Sequence, residues 1–89
     1  MSSTSEAWYV ARTLRALELL AVGPRSAPEL AEGLGVHVRT ARRILRRLED
    51  EGYAALGSGR RRRYRATMRV VAVAGQVVEQ AELTNVALP

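Results

Sequence analysis

Arginine supplies most of the chemistry available to this chain. All fourteen basic residues are Arg and none is Lys. The guanidinium is a planar fork of donors, matched to paired acceptors such as phosphate oxygens or the edge of a guanine. Ten of the fourteen fall between residues 37 and 65, against only Glu49, Asp50 and Glu51, while the segments on either side carry a slight acidic excess. The net charge of +5 is therefore concentrated in one central stretch, the electrostatic footprint expected of a nucleic-acid contact surface. Codon usage in a GC-rich genome would by itself favour Arg over Lys, so the clustering weighs more than the choice of residue.

The cations form two groups. Arg39, Arg42, Arg43, Arg46 and Arg47 lie within nine residues, preceded by His37 and Val38 and interleaved with Thr40. Arg60, Arg61, Arg62, Arg63 and Arg65 follow the turn sequence Gly57-Ser58-Gly59. Other chemistries find little support. With no cysteine and a single histidine, neither a disulfide nor a thiolate or His-rich metal site is expected. No carboxylate pair, nucleophile–base arrangement or phosphate-cradling loop stands out, so no enzyme and no cofactor are expected. Neither a leader peptide nor an apolar run of about 20 residues is present, and a cytoplasmic protein is the expectation.

The elements that would hold these groups follow from periodicity. Residues 1–5 read as a flexible tail and residues 6–89 as one domain. Ala7, Val10, Leu14, Leu17, Leu20 and Ala21 recur at three and four, predicting a helix from Glu6 to Val22 that Gly23-Pro24 stops. Ser26 and Glu29 have the spacing of a capping box and open a short helix from Ala27 to about Gly33. A tight turn at Gly33-Leu34-Gly35 leads to a third helix from about Val38 to Glu51. Tyr53–Leu56 and Arg62–Ala66 flank the Gly-Ser-Gly turn as a two-stranded hairpin. Val70, Val73, Ala74, Val77, Val78 and Ala81 predict a last helix over Met68–Leu83. With only Trp8, Tyr9, Tyr53 and Tyr64 as aromatics, the core must be aliphatic. The fold class is mostly α with a small β-hairpin: a winged helix-turn-helix, made of a three-helix core, a wing and a C-terminal helix.

The turn between the second and third helices carries the strongest signal. Helices crossing over a tight turn need a small residue at their close approach and a glycine at the reversal, and Ala31 and Gly35 supply both. With Ala41, Ile44, Leu45 and Leu48 inward, the outward set of the third helix is Val38, Arg39, Arg42, Arg43, Arg46 and Arg47. Entering a major groove by its N-terminus, this helix would aim His37, Val38, Arg39, Arg42 and Arg43 at base edges. Arg46 and Arg47 would sit nearer phosphates and Thr40 at the groove edge. A solvated face holding Arg46–Asp50 and Arg47–Glu51 pairs is the plainer alternative. The hairpin arginines would lie along the backbone or in a minor groove, or form a basic loop with only non-specific attraction. Tyr53 and Tyr64 are expected to pack onto the third helix.

Over Leu14–Leu83 these residues resemble the N-terminal DNA-binding domain of IclR-type transcriptional regulators. The likeness is clearest in LRALELLAVGPRSAPELAEGLGVHVRTARRILRRLEDEGYAAL and continues into MRVVAVAGQVV. It implies a winged-helix homodimer on operator DNA, with the reading helix on Val38–Leu48 and the wing on Leu56–Arg65. Two departures bear on sequence preference: His37 stands where the family often has Pro, and the wing is richer in Arg. The larger effector-binding domain of such regulators has no counterpart in these 89 residues, so no small-molecule ligand is implied. The expected partners are double-stranded DNA and a second copy, joined through the first and last helices, around Trp8, Tyr9 and Val10 and Val70–Val78. The alternative from another class is a protein-interaction adaptor whose basic face meets an acidic partner.

Overall fold

In a computed structural model of the protein, residues 3–84 are described. They form α1 (Ser3–Val22), β1 (Arg25–Ser26), α2 (Ala27–Leu34), α3 (Val38–Asp50), β2 (Ala54–Leu56), β3 (Arg63–Ala66) and α4 (Met68–Thr84). The expected helices and both hairpin strands are present, and α1 begins three residues before Glu6. Met1, Ser2 and residues 85–89 of the expected tail and domain lie outside the described residues, as does the side chain of Ala81.

Local chemistry sets the boundaries of α2 and α3. The Ser26 hydroxyl accepts from the Glu29 N–H at 3.2 Å, and the Glu29 carboxylate accepts from the Ser26 N–H at 2.8 Å, so two helix-start donors are satisfied reciprocally. Gly35 ends α2 in the left-handed region at φ 67°, its N–H reaching the carbonyls of Ala31 and Glu32. A Cβ is disfavoured in that backbone state, which is why glycine stands there. His37 caps α3: its Nδ1 accepts the Arg39 N–H at 3.0 Å.

The core lies where α1, α2 and α3 meet. Leu30, Ile44 and Leu45 are its largest fully buried side chains, surrounded by Ala16, Leu20, Ala27, Ala31, Leu34, Ala41, Leu48 and Ala54. Tyr53 and Tyr64 pack against its edge, together with Val36, Leu17 and Leu19; the strand that carries Tyr64 lies against α1 and not, as expected, against the third helix. Burying each Leu or Ile contributes about 1.5–3 kcal/mol.

Three differences from the sequence expectation stand out. The hairpin is part of a three-stranded antiparallel sheet in the order β1-β3-β2, with Arg25 opposite Tyr64 and Ser26 opposite Arg63. The wing is thus sewn to the start of α2. Second, α1 carries two apolar faces. Tyr9, Ala16, Leu19 and Leu20 face the core, while Val10 and Leu14 of the expected stripe are 56% and 60% exposed. Periodicity reports an apolar face but not what covers it. Third, Val38 is half-buried and packs on the core edge instead of joining the outward set, because it sits next to the inward row of Ala41 and Leu45.

α4 does not fold back over the core. Thr67 anchors its start, donating through its N–H to the Tyr53 carbonyl at 3.1 Å and through its hydroxyl to the Gly52 carbonyl at 2.6 Å. The Arg69 guanidinium stacks on the Tyr53 ring at 5.0 Å. Beyond Val70 every residue as far as Gln80 is exposed, with Val71, Val73, Val77 and Val78 among them.

Candidate nucleic-acid interface

The inward row Ala41, Ile44, Leu45 and Leu48 fixes the rotation of α3. It leaves Arg39, Arg42, Arg43, Arg46 and Arg47 exposed, with His37 exposed at the helix start and Thr40 half-buried at the border. Among the described residues the ion pairs are Arg15–Glu18 and Arg63–Glu29. Neither Arg46–Asp50 nor Arg47–Glu51 is formed. None of the five guanidiniums lies within ion-pair distance of a carboxylate, although Glu6 lines the same groove as Arg43 and Arg47. Mutual repulsion makes such a surface favourable chiefly when an anion is nearby.

Arg43 and Arg47 lie on the flank of α3 that faces the start of α1. They line a groove of about 470 Å³ with Ser5, Glu6, Tyr9 and Val10. The Arg43 guanidinium sits 5.8 Å from the centre of the Tyr9 ring, a cation–π distance that restrains the side chain without removing its donors. Sequence reasoning did not pair these residues, because they are far apart in the chain and only the crossing of α1 over α3 brings them together. Trp8 serves the other flank of α1, under the Arg12 guanidinium at 4.9 Å.

The wing tip runs from Gly57 to Arg62 between β2 and β3, closed by the Gly57 N–H donating to the Arg63 carbonyl at 2.8 Å. Arg60, Arg61 and Arg62 are exposed there, and Arg65 is exposed on β3. A cleft of about 350 Å³ lies between Pro24, the turn residues and Arg61, Arg63 and Arg65. Arg63 differs from its neighbours: it is half-buried and donates to the Glu29 carboxylate at 3.2 Å. That carboxylate is held below its ordinary value of 4.5, first by the Ser26 N–H and hydroxyl and then by the nearby Arg63 and Arg25. The described residues contain no group of three side chains able to hold a metal ion. None of their helices is long and apolar enough to cross a membrane.

The arrangement is a helix-turn-helix whose second helix is a cationic face, flanked by a cationic hairpin. Its fold is similar to a solved homodimeric winged helix-turn-helix DNA-binding domain from Mycobacterium bovis, described as a possible ArsR-family transcriptional regulator. The likeness has a TM-score of 0.58 and 28% identity, over 93% of this chain and 91% of that one. No curated protein matches the chain in sequence. The IclR helix-turn-helix domain matches residues 9–56, which take in α1, the turn motif, α3 and the first wing strand. With more than half of its length covered by that match, the chain belongs to the IclR helix-turn-helix domain family, a family of DNA-binding transcriptional regulators.

Proposed function

We propose that the chain binds double-stranded DNA in a sequence-dependent way, with α3 in the major groove and the wing on the sugar–phosphate backbone or in the adjoining minor groove. The observation that carries this reading is the unpaired Arg face of α3 within a helix-turn-helix of this family. His37, Arg39, Arg42 and Arg43, on the first two turns, read base edges, with Val38 and Thr40 at the margin. Arg46 and Arg47 hold phosphates, and so do Arg60, Arg61, Arg62 and Arg65 on the wing. Arg63, paired with Glu29, stands apart from this set. The molecule works in the cytoplasm, where its DNA is, and acts by blocking or recruiting polymerase at a promoter.

The functional unit is a homodimer. The M. bovis domain is homodimeric, and the uncovered apolar faces of α1 and α4 supply a surface for the same assembly here. Val10 and Leu14 on one helix and Val73, Val77 and Val78 on the other are between 45% and 60% exposed. A cleft of about 650 Å³ lies along Ala11, Leu14, Leu17, Ala21 and Val70, edged by the Arg15–Glu18 pair. Twofold pairing through these faces would set two reading helices about 34 Å apart, one turn of the duplex.

Selection from a random duplex pool, followed by titration of the selected site, tests the reading. Arg42→Ala should lose about 1–3 kcal/mol on the selected site and much less on random DNA, as expected for a bidentate base contact. Arg61→Ala should weaken both alike and make the salt dependence shallower by about one unit. Identical behaviour of the two variants would refute sequence-dependent reading. Failure of the wild type to shift any duplex would leave the basic face to an acidic protein partner.

A further inference from the structure

Five arginines crowd the wing, but one of them is bound to the body of the protein. We infer that Arg63 is a positioning residue and not a DNA ligand: its pairing with Glu29 locks the base of the wing to the start of α2, and Glu29 keeps that guanidinium away from phosphate. The inference rests on the DNA-binding reading above and divides the wing cations into those that grip and one that aims.

Several independent contacts converge on this corner. Ser26 and Arg63 are register partners across β1 and β3. Ser26 is also the N-cap of α2 and shares the capping box with Glu29. The two Glu29 oxygens are divided between these tasks: Oε1 accepts from the Ser26 N–H and Oε2 from Arg63. The Arg63 side chain is 40% exposed, but its Nε is buried and has no hydrogen-bond partner among the described residues. Its backbone carbonyl closes the wing tip by accepting from Gly57. A carboxylate fixed in place by the helix start cannot follow a guanidinium outward. A DNA phosphate at Arg63 would therefore have to approach a fixed negative charge. Arg60, Arg61, Arg62 and Arg65 have no carboxylate partner among the described residues and carry no such penalty.

Glu29→Gln is the incisive substitution, because glutamine still completes a capping box while the charge that holds Arg63 is gone. Without DNA, amide exchange at Ser26, Gly57 and Arg63 should quicken in both Glu29→Gln and Arg63→Met by about 1.5- to 5-fold, the worth of an exposed ion pair. Unchanged protection at all three amides overturns the positioning role. On random duplex DNA, Arg63→Met should leave the steepness of log K against log salt where it is in the wild type, whereas Arg61→Met makes it shallower by about 0.9. Glu29→Gln should make the dependence steeper by about 0.9, and the double variant Glu29→Gln with Arg63→Met should restore it. A dependence that becomes shallower in Arg63→Met as it does in Arg61→Met would place Arg63 on a phosphate and overturn the inference. A wild type that binds no duplex would refute the DNA reading, and the exchange data would still decide the role of Arg63.

Discussion

His37 caps α3 through one ring nitrogen and leaves the other free. Nδ1 is committed to the Arg39 N–H, which leaves Nε2 as the ring position able to donate to an outside acceptor. The cap can be separated from any contact to DNA. His37→Ala should cost about 1 kcal/mol in urea unfolding, the usual price of a lost N-cap, and His37→Asn should recover most of it. If only the alanine loses stability but both lose affinity for the selected duplex, Nε2 touches DNA. Glu29 sets a second measurable behaviour. Its folded value is depressed, so its stabilisation is complete above the ordinary value of 4.5 and is lost as pH falls through the folded value. The stability gap between wild type and Glu29→Gln should therefore be present at about pH 6 and shrink on acidification below about pH 4.5. A gap that widened in acid would contradict the depressed carboxyl.

The elements show why some of the architecture could be read from the chain and some could not. The α2–turn–α3 unit announces itself locally: Ser26 and Glu29 open one helix, Gly35 closes it, and the spacing of Ala41, Ile44, Leu45 and Leu48 orients the next. Gly35→Ala should cost about 1–2 kcal/mol, because its φ of 67° is the left-handed state that a Cβ penalises. A thermal unfolding scan measures this, and a loss much below that range would mean that the turn relaxes. By contrast, β1 is two residues long. It has no period to detect and exists only because β3 arrives beside it, so the three-stranded sheet and the Glu29–Arg63 pair were hidden. The rotation of α1 was hidden for a different reason. Two apolar faces share one helix, and the more regular of them, Val10–Leu14, is the one left outside. The outward arginines of α3 were readable because charge is excluded from the row that packs, while Val38, apolar and next to that row, went to the core edge.

The molecule as described is a body with an exposed apolar arm. An α-helix with most of one stripe in water gains little from packing, and helices of this length are marginal by themselves. α4 should therefore be stabilised by association. Val73→Asp with Val77→Asp would place two carboxylates in the proposed interface, each costing several kcal/mol unless paired. Sedimentation at micromolar concentration should show the wild type as a dimer and the double variant as a folded monomer with reduced helix content. A wild type that remains monomeric, with and without DNA, would refute assembly through α1 and α4.

The hydroxyl of Thr67, bonded to the carbonyl of Gly52, has a mechanical consequence for such a dimer. The start of the arm that would join two copies is hydrogen-bonded to the chain two residues past the end of α3, so the coupling is tied closely to the reader. Any tilt of one arm against the other would be passed to the far end of α3 with almost no slack. The tolerated gap between two half-operators would then be decided at this corner, by a threonine, a carbonyl and the Arg69–Tyr53 stack, and not by the arginines of α3 or the wing.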